Sequence, residues 1–312
     1  MSTMQSQFDL ANAAQYERWR DHKRATHPVS ARDLIVDVAD PRDLTSFERK
    51  QLLALCERAN MAIYRSAVQA QDKEIPRRIA AQLGLHRLDG NWLADEDGIS
   101  PITVADTSGQ RSAFIPYTNR AIKWHTDGYY HPQARCIRAM VLHCVRCAKS
   151  GGASALMDHE MAYIAMREAN PDWVRAMMQP DAMTIPQRQD DDGIARAEQA
   201  GPVFSVDPAS NSLHMRYTAR TRSVVWKDDE PTRGAVAFLE QMLATERADV
   251  FRLTLQPGMG LVCNNVLHDR SGFIDDPSLP RLLYRARYTD RISEVSDKEL
   301  TCSPREMGFY SY

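Results

Sequence analysis

Apolar positions along the chain change their period near residue 100. Before it they recur at helical spacing: "TSFERKQLLALCERANMAIYRS" (45–66) sets an apolar stripe behind Thr45 or Ser46 as N-cap, with Glu48 near the capping-box position, and predicts a helix. A shorter helix is expected over 74–84, "DLIVDVAD" (33–40) reads as a strand, and the charged, amphipathic opening reads as a helical arm over 1–30. Beyond residue 100 the apolar residues fall in short β-like runs, "FIPYT", "IKWHTD", "CIRAMVLHCV", "VFSVD", "LHMRYTA", "FRLTLQPGMGLVCNN" and "LLYRARY", bounded by Gly, Pro and Asn turns. Two helices interrupt them, near 159–179 and 230–246. Many short strands with helical insertions predict a mainly β fold with flanking α-helices around a β-barrel or jelly-roll core, as one domain over 31–312. "RQDDDGIARAEQAGP" (188–202) is polar and falls between a helix and a strand, the best candidate for a mobile loop; such a loop could close over a site, but three consecutive aspartates favour the plainer reading of a solvated surface.

Composition narrows the partners. With 312 residues, 43% apolar and 26% charged, the chain can bury the core of one large domain. A formal charge of −2 gives no basic footprint for nucleic acid or a membrane surface, which leaves a small-molecule substrate as the expected partner and a homo-oligomer open. No run approaches the roughly 18 apolar residues of a membrane helix, and the polar N-terminus lacks the apolar stretch of a signal peptide, so a cytoplasmic location is expected. Six scattered cysteines favour reduced thiols. The CxxC in "HCVRC" (143–147) lacks the second pair that a zinc site would use, and reads as incidental.

The chemistry gathers elsewhere. In an extended strand residues i and i+2 share a face, so His125 and Asp127 in "IKWHTDGYY" point into one place, as two metal ligands would. Among the remaining histidines His268 is the candidate third ligand: "GLVCNNVLHDRSGF" places it just beyond a strand and among polar residues that a core position would not favour. Two imidazoles and one carboxylate leave three coordination positions open, the arrangement of non-haem Fe(II) oxygenases, where an oxidant and a bidentate cosubstrate both bind. A keto acid with a distal carboxylate would need a buried cation, and "RLLYRARY" (281–288) puts Arg281, Arg285 and Arg287 on one strand face. The competing reading is an edge strand whose arginines lie in water.

"HTD" (125–127), "SGGAS" (150–154), "NNVLHDR" (264–270) and "RLLYR" (281–285) occur in the order and approximate spacing of the TauD/TfdA superfamily of Fe(II)/2-oxoglutarate dioxygenases, which the chain resembles over about 110–290. The stretch "PYTNRAIKWHTD…LHCVRCAKSGGASALMD" is most similar to the γ-butyrobetaine and trimethyllysine hydroxylase branch. The resemblance implies a double-stranded β-helix core, Fe(II) held by His125, Asp127 and His268, and 2-oxoglutarate and O2 as cosubstrates. It also implies Arg281 on the distal carboxylate of 2-oxoglutarate, Ser154 sharing that carboxylate, Arg285 at the keto-acid end or on an anionic substrate, and Tyr117 in an aromatic cage. Arg287 stands where that branch has another cage tyrosine, and its charge would repel a trimethylammonium group. The implied reaction transfers better than the implied substrate. Asp127 argues for hydroxylation, since related halogenases vacate the carboxylate position.

Around the pocket, Arg220 and Arg222 in "LHMRYTARTRSVVW" (213–226) are candidate contacts to a carboxylate, sulfonate or phosphonate, against a half-buried strand with solvated arginines. Trp124 and Tyr129 are candidate pocket walls, against core packing. The sequence thus reads as an Fe(II)/2-oxoglutarate-dependent hydroxylase of a small polar metabolite bearing an anionic group, with an amine left open. The alternatives are a non-catalytic metal-binding barrel, which would leave Arg281 and Ser154 without a purpose, and a zinc-dependent hydrolase, for which the sequence offers no obvious general base beside the three ligands.

Overall fold

The structure, a computed structural model, describes residues 6–90, 95–105, 110–190, 193–220 and 224–295. Along the chain, α1 (Ala13–Thr26) is followed by β1 (Ile35–Asp37), α2 (Ser46–Ala59), β2 (Met61–Arg65), α3 (Glu74–Gln82) and β3 (Ser100–Ile102). Next come β4 (Ile122–His125), β5 (Ala139–Arg146), β6 (Ser150–Gly151), β7 (Ser154–Met157), α4 (His159–Ala169) and α5 (Pro171–Met177). A run of short strands, β8 (Met183–Ile185), β9 (Arg188–Asp190), β10 (Gly193–Arg196), β11 (Gln199–Gly201), β12 (Phe204–Val206), β13 (Leu213–Met215) and β14 (Val225–Trp226), precedes α6 (Glu230–Ala244). The last strands are β15 (Val250–Leu253), β16 (Met259–Cys263), β17 (Leu267–Arg270), β18 (Phe273–Ile274) and β19 (Leu282–Tyr288).

Ten of these strands form the two facing sheets of the jelly roll. One sheet has the order β1-β2-β16-β5-β19-β3 and the other β15-β7-β17-β4, so that successive core strands alternate between the sheets and the late strands β17 and β19 insert beside the early ones. Alternation along β19 shows the layering: Leu282, Tyr284, Ala286 and Tyr288 pack outward with Leu52, Leu55 and Ile79 of α2 and α3, while Leu283 joins Met140, Leu156 and Leu261 between the sheets. The outer face of the second sheet, with Trp124, Ala155, Met157 and Leu267, is covered by Ala162, Tyr163 and Met166 of α4 and by Leu239 and Met242 of α6. That arrangement aims one face of β4, β7, β17 and β19 at the barrel interior.

Several elements depart from the sequence reading for local reasons. The helix read over 45–66 begins as expected, with Thr45 and Glu48 completing a capping box, but ends at Ala59 because Asn60 takes a left-handed conformation, and the apolar run behind it becomes β2. The helix read over 159–179 is two, because Asn170 leaves the helical region and its side chain caps α5, which starts at Pro171. "FIPYT" forms a 3-10 turn, Ile115–Tyr117, rather than a strand. The stretch read as a loop over 188–202 contains the antiparallel pair β9–β10 and the strand β11. His268 lies within β17 rather than beyond a strand. Within the expected N-terminal arm, α1 docks Lys23 against Asp158 and Glu160 at the start of α4. Among the described residues Cys56, Cys136, Cys144, Cys147 and Cys263 are free thiols, and Cys302 lies outside them. No helix among the described residues is long and apolar enough to cross a membrane.

Candidate metal centre and cosubstrate pocket

His125 ends β4, and β17 pairs with β4 in a register that sets His268 directly opposite it. The two imidazoles lie with ring centroids 4.2 Å apart, and Asp127 closes the group, its Oδ1 3.6 Å from His125 Nε2 and 3.9 Å from His268 Nε2. One ligand atom from each residue falls within 4.8 Å of the other two, the only such cluster of His, Cys, Asp or Glu among the described residues.

The imidazoles are oriented for a metal. Nδ1 of His125 bonds the Lys123 carbonyl at 2.9 Å, and Nδ1 of His268 bonds the Val266 carbonyl at 2.9 Å. A carbonyl accepts only, so each Nδ1 carries the proton and each Nε2 turns a lone pair toward the shared space. Burial lowers the His268 pKa to about 4, with His125 adding to the effect, which keeps that ring neutral. The loop holding Asp127 is fixed from both sides by Asn265, whose Oδ1 accepts from the Asp127 N–H at 2.8 Å and whose Nδ2 donates to the Asp127 carbonyl at 2.9 Å. Gly128, at φ +67°, lets the chain turn against Ile137, where a Cβ would come within 2.4 Å. Two imidazole nitrogens and one carboxylate oxygen are the donor set that suits Fe(II), and Asp127 Oδ1 is the oxygen that faces both imidazoles.

Around this carboxylate the interior is cationic. Arg285 Nη1 stands 3.1 Å from Asp127 Oδ2. Burial pushes the Asp127 carboxyl up, but Arg285, His125, Arg287 and His268 outweigh it and hold it well below the ordinary carboxylate range. Arg270 lies opposite Ser154 across β17 and β7, so both share the interior face with His268 and Leu156. Burial lowers the Arg270 pKa to about 9, with Arg281 and Arg285 pushing the same way. Arg281 is buried over the Phe273 ring at 5.1 Å and next to Gly152, and burial lowers its pKa too. Among the described residues no carboxylate lies within ion-pair distance of Arg281, although its backbone N–H bonds Asp275. Three guanidinium groups lie near one another and, among the described residues, only Arg285 is paired with a carboxylate, which leaves positive charge for a dianion to meet.

The remaining candidates are dispersed. Arg287 pairs with the buried Asp89 and donates to the Tyr130 hydroxyl at 3.0 Å, so its charge is neutralised within the chain. Trp124 is corrected from pocket wall to core: strand alternation turns it opposite to His125, and its indole N–H bonds the Leu243 carbonyl at 3.0 Å. Tyr129 sits in the turn after Asp127 and packs partly buried beside Tyr130. Tyr117 is buried in the cluster between the sheets with the Arg111 guanidinium over its ring at 5.5 Å. Arg220 is exposed, and Arg222 lies outside the described residues. Sequence reading gave no role to Arg270, Asn265 or Asp89. Arg270 was within reach, since it follows His268 by two on a strand, the same spacing that singled out His125 and Asp127.

A jelly roll that gathers two histidines and an aspartate in one mouth has the architecture of a mononuclear non-haem iron oxygenase. Residues 20–287 match the family described as "Taurine catabolism dioxygenase TauD, TfdA family", and the chain belongs to this family of iron- and 2-oxoglutarate-dependent dioxygenases. Two curated relatives are both named uridine-5'-phosphate dioxygenase. One, from Amycolatopsis sp, is 33% identical over 176 residues, 54% of this chain and 60% of that protein. The other, from Streptomyces sp, is 26% identical over 275 residues, 84% of this chain and 94% of that protein. Neither is named for the γ-butyrobetaine or trimethyllysine branch, so the finer resemblance is not supported by these relatives. Among solved structures, the non-heme iron oxygenase OrfP in complex with Fe shares the fold at TM-score 0.57 and 15% identity, covering 79% of this chain and 81% of that one. An asparagine oxygenase does so at TM-score 0.56 and 14% identity, covering 92% and 86%.

Proposed function

We propose that this chain hydroxylates a small anionic metabolite with Fe(II), 2-oxoglutarate and O2, and that the metabolite is a phosphate ester. The observation that carries the reading is the convergence of His125, Asp127 and His268 beside a surplus of buried arginine charge. When bound, the iron with 2-oxoglutarate and O2 supplies the oxidant that converts a substrate C–H to C–OH as succinate and carbon dioxide form. The chain supplies the rest, over a single oxygenase domain at 31–312 with 1–30 as an arm. His125, Asp127 and His268 hold the metal, Arg281 with Ser154 takes the distal carboxylate of 2-oxoglutarate, and Arg285 orients Asp127 and meets the keto-acid end. The names of the two relatives favour a phosphate-bearing substrate, and Arg111 covering Tyr117 speaks against a trimethylammonium cage there.

The test is an anaerobic titration of metal-free protein with Fe(II) and then 2-oxoglutarate, read by the visible charge-transfer band of the chelate. The band is expected in the parent protein and absent in His268→Ala. In Arg281→Ala it should need about 10- to 100-fold more 2-oxoglutarate, the worth of a charged hydrogen-bonded contact. Bound metal without a band would overturn the reading.

A further inference from the structure

Beyond the metal centre, the hairpin β9–β10 carries an unusual pair: Arg188 and Arg196 are directly opposite each other across its two strands. Like charges directly opposite each other weaken a strand pair. Each guanidinium lies over an aromatic ring, Arg188 over Phe114 at 5.0 Å and Arg196 over Tyr130 at 5.8 Å. Arg196 is partly buried, donates from Nη2 to the Pro186 carbonyl at 2.8 Å, and keeps a buried Nε with no acceptor. Among the described residues no carboxylate lies within ion-pair distance of Arg196, whose pKa burial lowers, with Arg188 adding to the effect.

The strands that flank the hairpin in the chain are also tied to the metal end. Arg216 donates to the carbonyls of Tyr129 (2.7 Å), Gln199 (2.8 Å), Met183 (2.9 Å) and Gly201 (3.3 Å), joining β8 and β11 to the turn that follows Asp127. Tyr130, beneath Arg196, receives a hydrogen bond from Arg287, two residues from Arg285 on β19.

We infer that Arg196, with Arg188 across the hairpin, binds the anionic group of the substrate, a phosphate monoester, and so sets specificity from outside the barrel. This rests on the proposed oxygenase reading. A phosphate would give the buried Nε of Arg196 an acceptor, while the carbon to be oxidised reaches past Tyr130 toward the metal.

The test uses the full chain loaded anaerobically with Fe(II) and 2-oxoglutarate, and compares equilibrium binding of uridine 5'-phosphate with that of uridine. The parent protein should prefer the phosphate by tenfold or more. Arg196→Gln should lose most of that preference without changing uridine affinity or the chelate band, and Arg196→Lys, which keeps the charge but not the fork, should fall between. Equal phosphate affinity in parent and Arg196→Gln, or no phosphate preference in the parent while the chelate band is intact, overturns the subsite and leaves the oxygenase reading standing. Loss of the chelate band in the parent overturns that reading instead. A melting temperature for Arg196→Gln close to the parent's, with a normal band, excludes misfolding as the cause.

Discussion

Two regions of this molecule bury charge, and they do so differently. Where α1 docks, Lys23 Nζ lies 2.7 Å from Asp158 and also bonds Glu160, Asn60 donates to Asp158 at 2.8 Å, and His27 stands close by. Cation meets anion, and the network is closed within the chain. Burial would push the Asp158 carboxyl up, yet Lys23, His159 and His27 hold it well below its ordinary range. In the barrel, Arg281 and Arg285 crowd Arg270, of these three only Arg285 pairs with Asp127 among the described residues, and Arg270 meets the carbonyls of Pro116, Thr118 and Arg120 and the Phe273 ring but no carboxylate within ion-pair distance. A balanced buried network holds parts together, whereas an unbalanced one is a demand for a ligand.

Substitutions should separate the two regions cleanly. The largest effect belongs to the open one: His268→Ala is expected to cut succinate formation by more than about a thousandfold, over 4 kcal/mol in the barrier, with the melting temperature little changed. Retained turnover would remove His268 from the ligand set. In the closed region the pattern should reverse. Lys23→Met strands Asp158 and should cost about 3 kcal/mol of stability in urea unfolding while kcat stays at the parent value. A fall in kcat at unchanged stability would mean that the arm takes part in turnover.

The smallest effect comes from a third kind of buried group, neutral on both sides. His143 Nδ1 meets the Tyr64 hydroxyl at 2.8 Å inside the first sheet, and burial lowers its pKa to about 4. Unfolded, the same ring titrates near 6.5, so between those values only the unfolded chain binds the proton. Stability should therefore fall as pH drops from about 6.5 toward 4, by roughly 1 kcal/mol per pH unit, and the term should vanish above about 6.5. Urea midpoints at pH 7 and pH 5 for the parent and His143→Gln measure this share, and the variant should keep the slope of other buried imidazoles such as His268, whose pKa is also lowered to about 4.

What was legible in the sequence follows the reach of each signal. The jelly-roll class rests on a run of short strands and the pair His125 and Asp127 on a period of two; the structure brings the pair together, although β4 ends at His125 and Asp127 stands in the turn beyond it. Asn60 and Pro171 were also local signals, a left-handed cap and an N1 proline, but the apolar runs across them masked the breaks. The partners Asp89 for Arg287 and Leu243 for Trp124 were beyond reach, because a strand pattern says which face a side chain takes and nothing about what the chain folds onto that face. For the same reason the hairpin that opposes Arg188 to Arg196 looked like a polar loop: its pairing gives no apolar alternation to read.

The pairing of β17 with β4 has a consequence for how the protein comes into being. During synthesis His125 and Asp127 leave the ribosome long before His268, and Arg281 and Arg285 emerge later still. A partly made chain has a two-ligand clip and none of the late cations, so it lacks the means to hold iron and a keto acid together. On the proposed assignment of these residues, the redox centre would be assembled only when the last long-range strands insert, a slow kind of contact to form. Oxygen chemistry is thereby withheld from every unfinished copy of the enzyme.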